Sequence, residues 1–268
     1  MAFVSAHLMG GLGNQLFQIA AAYAYAKRHN KSLIFLFSWS TRPDRPPIWN
    51  TYLNPAEWTL VGACIPYRRI SERGFAFQDL PAPEGQESVE LYGYFQSSKY
   101  FSPYGDELRA RLQVSSRLLE LYPVPSHCIG AHVRRGDYMK HPEFHHVCDQ
   151  EYYNGARDHI DSKKPVYWIT DDPQWVTDTL YREGDMVVSN DTVADFTRLS
   201  QFHDLILSNS SFSWWAAWLN PCGFVDVERK ICCPNKWFGP AGPQDYESIY
   251  EPGWSRIDTI SGKVVAQA

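Results

Sequence analysis

Apolar residues fall into short runs along this chain, separated by glycine turns and helical stretches. FVSAHL at 3–8 reads as a strand, MGGLGNQ as a tight glycine loop, LFQIAAAYAYAKRH as an alanine-rich helix and SLIFLF as the next strand. That order implies parallel strands joined by a right-handed crossover. Residues 38–90 are rich in Pro, Trp and Arg and weakly periodic, so irregular structure with short elements is expected. GDELRARLQVSSRLLELY at 105–122 has helical spacing, with Leu108, Leu112, Leu118, Leu119 and Tyr122 as its apolar positions. PVPSH breaks the pattern and suggests a domain boundary near 123: a first domain over 1–122, a second over 123–240 and a tail over 241–268.

The second half is more regular. CIGAHV, VYWIT, MVVS, DLILS and KICCP are short apolar runs with helical patterns between several of them, which predicts a doubly wound α/β domain. Ligands of such sheets bind at the carboxyl ends of the strands. Arg134, Arg135 and Asp137 follow the first run, Asp171 and Asp172 the second, Asn190 and Asp191 the third, and Ser210 and Ser211 the fourth. Any one polar strand end is ordinary; four on the same edge suggest a binding site.

Composition narrows the chemistry. The 268 residues are 44% hydrophobic, enough for one large core or two smaller ones, and length alone favours two domains. The net charge is −5 with no basic block, which argues against nucleic acid as a partner. The six cysteines, Cys64, Cys128, Cys148, Cys222, Cys232 and Cys233, lack metal-ligand spacing and read as reduced residues of a cytoplasmic protein. No signal peptide or membrane span is expected. Aromatic residues reach 15%; most belong to packing, and a minority is available to stack on sugar rings.

Arginine at a strand end suits phosphate, because its planar fork donates paired hydrogen bonds and stays charged; the alternative is an internal ion pair with Asp137 or Asp171. In an alternating strand Arg134 and Arg135 point to opposite sides, so one can meet ligand while a carboxylate holds the other. His132 shares the side of Arg134. Ser210 and Ser211 stand where a strand turns into a helix, which makes either an anion site or a plain N-cap. GGLGNQ is not a dinucleotide loop, since Leu16 replaces the third glycine, and no phosphate-loop Lys-Ser/Thr follows. Its backbone is expected to approach a ligand, with Asn14 as a polar contact. Asp171-Asp172 could read as a metal pair, but the arginines already offer the countercharge a diphosphate needs.

HVRRGDY at 132–138, GGLGNQLFQ at 10–18 and NSSFSWWAAWL at 209–219 together resemble the α-1,2-fucosyltransferases, within the inverting, GDP-fucose-dependent fucosyltransferases. The resemblance implies a GT-B type α/β architecture of two Rossmann-like domains facing a cleft, the first on the acceptor side and the second binding GDP-fucose. It implies no cofactor and no catalytic metal. Arg134 then matches the arginine that stabilises the GDP diphosphate, and His132 a donor-contacting histidine. Asp195 matches an aspartate that recognises guanine. Ser210, Ser211 and Phe212 match the phosphate-binding turn, with Arg135 in the same motif, and Asp171 and Asp172 a nucleoside-side acidic pair. Gly13 and Asn14 match the loop that reaches the donor from the first half.

The general base is the open position. Relatives with α-1,6 specificity carry a glutamate after the arginine strand; here YMKHPEF offers Glu143 at a different spacing, and Asp137 is the other candidate. The activity implied is transfer of L-fucose to the 2-hydroxyl of a terminal β-galactoside. Another linkage, or a non-catalytic nucleotide-sugar or glycan-binding protein, are the alternatives. Trp39, Trp49, Tyr92 and Tyr94 are possible sugar-stacking rings.

Overall fold

The computed structural model describes residues 2–36, 47–54, 57–62, 67–220 and 229–267. Trp39, Cys64 and Cys222 lie outside the described residues. The chain divides into two compact units, Met1–Leu112 with Asp245–Ile249, and Gln113–Gln244 with Tyr250–Ala268.

The first unit contains β1 (Phe3–Ala6), α1 (Leu12–Arg28), β2 (Ser32–Leu33), β3 (Phe35–Leu36), β4 (Leu60–Val61), β5 (Arg68–Ser71), β6 (Val89–Tyr92) and α2 (Gly105–Leu112). Its main sheet has the order β2-β1-β6-β5, parallel throughout. SLIFLF is not one strand. The amide of Ile34 still bonds to Val4 of β1, but that of Phe35 bonds to Thr59, so the run leaves one sheet and pairs with β4 in another. Between 38 and 90 the weak periodicity conceals β5 and β6, two parallel four-residue strands. Alanines at 20, 21, 22, 24 and 26 let α1 pack almost wholly buried, and Lys27 and Arg28 in its last turn complement the helix dipole.

The second unit contains α3 (Ser116–Leu121), β7 (Ile129–Val133), α4 (Gln150–Asp161), β8 (Val166–Thr170), α5 (Pro173–Thr179), β9 (Met186–Val188), α6 (Thr192–Leu199), β10 (Leu205–Ile206), α7 (Ser211–Leu219), β11 (Ile231–Pro234), β12 (Ser255–Ile257) and β13 (Val264–Gln267). The helical pattern of 105–122 is therefore two helices. Ser115 adopts an extended conformation and its Oγ accepts from the Leu118 amide, starting α3 afresh. The two units divide in this break rather than near 123. The stretch after 240 is likewise shared out, Asp245–Ile249 to the first unit and β12 and β13 to the second.

The second sheet runs β13-β12-β11-β10-β7-β8-β9, parallel except for β13. From β7 the chain builds outward through β8 and β9, then returns to the other side of β7 for β10, β11 and β12. The order thus reverses between β7 and β10, the switch point where doubly wound sheets bind ligands. Every residue of β7 and β8 is buried, as expected of a sheet covered on both faces. Helix α7 is apolar all round, and its Trp214, Trp215 and Trp218 pack against one another in the core.

Candidate active site

The register of β7 on β8 builds the site. Val133 pairs with Thr170, so Arg134 and Asp171, then Arg135 and Asp172, leave the sheet side by side. Arg134 lies 2.7 Å from Asp137 Oδ1 and 3.0 Å from Asp171 Oδ2, with a third of its side chain exposed. Arg135 is different. Its Nε is 3.2 Å from Asp172 Oδ2, its guanidinium lies 3.9 Å from the centre of the Trp175 ring, and its side chain is 11% exposed. Arg135 is a pillar of the loop, and Arg134 is the arginine presented to solvent. Neither guanidinium is without countercharge: both are internally paired, the alternative weighed from the sequence.

Asp171 and Asp172 accordingly belong to the arginine loop. Asp171 Oδ1 accepts from the amides of Arg135 and Gly136 at 2.8 and 3.2 Å, while its other oxygen holds Arg134. A Cβ at Gly136 would lie 2.8 Å from Asp171 Oδ2, so glycine is what lets the carboxylate approach. Asp172 also caps α5, accepting from the Trp175 amide. Trp175 was not legible as a site residue; its one signal is its place three residues after Asp172.

His132 sits beneath this loop, 6% exposed, with Nδ1 2.7 Å from Ser208 Oγ. Burial, and secondarily the nearby Arg134 charge, lower its pKa to about 3, so the imidazole is neutral and Nε2 is its remaining polar atom. Phe212 packs on the imidazole at 5.0 Å and edge-on to Phe196 at 5.3 Å. Ser210 is the N-cap of α7, its Oγ accepting from the Phe212 amide at 3.4 Å, and Ser211 opens the helix. The plain cap and the anion-binding turn coincide here. Asn209 pins the turn: its Nδ2 donates to the carbonyls of His146 and Trp237, and its own carbonyl accepts from Tyr138.

Asp195, in the first turn of α6, is buried and accepts from the amide and the Nδ2 of Asn190, both at 3.0 Å. Burial raises its pKa. Glu143 stands apart from these contacts: its side chain is 61% exposed and its ionic neighbour is His141 at 3.8 Å. Asp137, the other candidate base, is engaged with Arg134.

In the first unit, Gly13 and Asn14 are helical residues, because α1 begins at Leu12. The loop proper is Met9–Gly11. It is clamped from the helix: Gln18 accepts from the Met9 amide and donates to its carbonyl, and Gln15 donates to the Gly10 carbonyl. Asn14 Oδ1 accepts from Gln96 at 2.7 Å. Gly10 has φ +80, and a Cβ there would meet Asn14 Nδ2 at 2.4 Å. Among the possible stacking rings, Trp49 is core, packed on Phe35 and Trp58. Tyr92 is exposed and lies between His7 and Arg69, and Tyr94 neighbours Phe75.

The sequence profile of glycosyl transferase family 11 matches residues 64–258. The chain belongs to glycosyl transferase family 11. As a family 11 glycosyltransferase it is similar to an alpha-1,2-colitosyltransferase of Escherichia coli, 28% identical over 96% of this chain and 100% of that one. It is also similar to galactoside alpha-(1,2)-fucosyltransferase 2 of Oryctolagus cuniculus, 27% identical over 96% of this chain and 77% of the relative. Among solved structures, the alpha-1,6-fucosyltransferase NodZ, known from Bradyrhizobium, superposes with a TM-score of 0.55 at 15% identity, covering 82% of this chain and 93% of that one. POFUT1 in complex with GDP gives 0.50 at 13% identity, covering 87% and 97%. The fold is α/β of the GT-B type. Among the described residues no helix is long and apolar enough to cross a membrane, and Cys128, Cys148, Cys232 and Cys233 are free and buried.

Proposed function

We propose that this family 11 glycosyltransferase moves L-fucose from GDP-fucose to the 2-hydroxyl of a terminal β-galactoside, with inversion and without a metal. The observation that carries the reading is the Arg134 guanidinium, one-third exposed at the sheet's switch point beside the turn into α7. Its two ion pairs leave further N–H groups of the fork for the β-phosphate. Asp137 and Asp171 hold the fork in position, so donating it to the leaving diphosphate costs little reorganisation. As the fucosyl bond breaks, negative charge grows on GDP, and a fixed guanidinium stabilises that charge more than the ground state. The N-terminus of α7, with Ser210 and Ser211, adds amide donors and the positive end of a helix dipole.

Asp195 takes the guanine edge, its spare lone pairs accepting from ring and exocyclic N–H groups, and neutral His132 offers Nε2 to the same nucleoside. Arg135, Asp172 and Asp171 act on the donor through the loop they shape. Gly13 and Asn14 are the donor contacts that the family resemblance implies in the first unit, with Asn14 oriented by Gln96. Asp137 and Glu143 remain the two candidates for receiving the acceptor proton. The named activity of the rabbit fucosyltransferase supports fucose, and the NodZ crystal soaked with GDP-fucose supports that donor.

A second reading has a specific basis: the relative matched over its full length is named a colitosyltransferase. Colitose lacks the 3-hydroxyl of fucose, so the two donors differ by one hydrogen-bonding group. GDP release from each donor, with lactose as acceptor and EDTA present, decides between them. Lactose-dependent release from GDP-fucose, with an α-1,2 product by NMR, supports the first reading. Release from GDP-colitose alone selects the second, and release only after a divalent ion is added removes metal independence.

A further inference from the structure

Between β7 and α4 the chain makes an excursion whose outer face is aromatic and exposed. Phe144 is 40% exposed and Met139 50%. The excursion connects to the arginine by a ladder of rings. The Arg134 guanidinium lies 5.7 Å from the Tyr138 ring, and Tyr138 stacks face to face on His145 at 4.1 Å and 6°. His145 meets Phe144 edge-on at 4.9 Å, and Phe144 meets Phe238 at 5.8 Å.

This loop is built to hold one shape. His145 and Phe238 form an antiparallel bridge, and the amides of Gly239 and Ala241 donate to the carbonyls of Phe144 and Glu143, both at 2.8 Å. The close approach requires glycine: a Cβ at Gly239 would lie 2.5 Å from the Glu143 carbonyl, and one at Gly242 2.7 Å from that of Phe144. Beneath, Tyr138 is tied to the Asn209 carbonyl. A pinned backbone presenting an exposed ring to water is an arrangement with a binding cost already met in folding. The ring is flanked by exposed polar groups, His141 and Glu143, each more than half exposed.

We propose that Phe144, backed by Phe238, is a subsite for the acceptor, the apolar face of its β-galactose ring packing on the phenyl while hydroxyls reach His141 and Glu143. The inference rests on the reading of a galactoside acceptor. The occupant is argued from position: the loop carrying Phe144 is joined through Tyr138 and His145 to the guanidinium assigned to the leaving diphosphate, and the molecule that must meet the donor there is the one that receives the sugar. Pyranose rings present just such an apolar face, with polar groups around the rim.

The test compares Phe144→Leu, which keeps apolar bulk but removes the ring, with Phe144→Trp and wild type. Phe144→Leu is expected to raise the lactose KM on the order of tenfold, with the KM for GDP-fucose and acceptor-independent donor hydrolysis within about twofold of wild type. Phe144→Trp restores the lactose KM. An unchanged lactose KM in Phe144→Leu overturns the subsite while leaving the transferase reading intact. Saturation-transfer NMR with methyl β-galactoside stands apart from turnover: signals on the sugar ring protons that weaken in Phe144→Leu support the subsite even if no transfer is seen. Signals that persist unaltered overturn it, as does a wild type that gives none. A change in sedimentation mass in the variant, with no change in lactose KM, assigns the ring to contact between copies and also overturns it.

Discussion

His132 Nδ1 lies 2.7 Å from Ser208 Oγ, and this bond joins the end of strand β7 to the residues that follow β10. These are the two strands between which the sheet order reverses. The arginine loop and the start of α7 are therefore fixed to each other by a buried polar contact, and a ligand at the switch point meets one preformed surface.

The two adjacent arginines should separate under mutation. Arg134→Ala is expected to lower kcat on the order of 10²–10³, the loss typical of a donor aimed at developing charge, with an unchanged circular dichroism spectrum. Arg134→Lys should recover little, since a lone ammonium cannot replace the fork. Arg135→Ala removes the stack on Trp175 and leaves Asp172 short of a partner, so about 1–3 kcal/mol of stability should be lost. Urea unfolding and initial rates, run on the same samples, would refute the division if both variants shifted only one of the two measurements.

Gln18 illustrates a different dependence, of a loop on a side chain in the following helix. It is fully buried and satisfies both the amide and the carbonyl of Met9. Gln18→Leu conserves volume but orphans both groups, and about 1–3 kcal/mol of the first unit's stability should go with it. Thermal denaturation checks this; a transition unmoved by the change would mean that the glycine loop does not depend on the clamp.

Asp195→Asn tests nucleobase recognition. Replacing a charged acceptor should raise the donor KM by roughly 10- to 100-fold, with a smaller effect on kcat. Because burial raises the Asp195 pKa, the wild-type donor KM should climb as the pH falls through that raised value, where the carboxylate takes a proton. The Asn variant lacks this acid limb. A donor KM rising identically with acid in both proteins would place the titration elsewhere.

Much of this was readable from residue order, and what was not has identifiable causes. VYWIT and CIGAHV are recognisable as buried parallel strands because both faces are apolar, and four polar strand ends do converge on one edge. Register is invisible in one dimension: only the pairing of Val133 with Thr170 sets Asp171 and Asp172 against arginines 37 residues away. The same holds for Gln15 and Gln18, which look like ordinary helix residues until the chain turns back over Met9 and Gly10. Gly13 reads as loop because glycine is a poor helix former, whereas the buried contacts of α1 override that preference. The helical spacing of 105–122 hid a cap at Ser115, which only its extended backbone reveals.

His132 also carries a pH signature in stability. Its pKa falls from 6.5 to about 3 on folding, chiefly through burial, so between those values the unfolded chain binds a proton that the folded chain does not. Stability therefore rises with pH across this window and is lost as the pH falls below 6.5, at a slope approaching about 1.4 kcal/mol per pH unit. His132→Asn keeps a polar partner for Ser208 and cannot titrate. The drop in unfolding free energy between pH 7 and 4.5 should be smaller in this variant by up to about 3 kcal/mol. Urea titrations at the two pH values measure that drop directly. An equal drop in both proteins would mean that the imidazole is protonated in the folded state, and the neutral Nε2 assigned to the nucleoside would have to be abandoned.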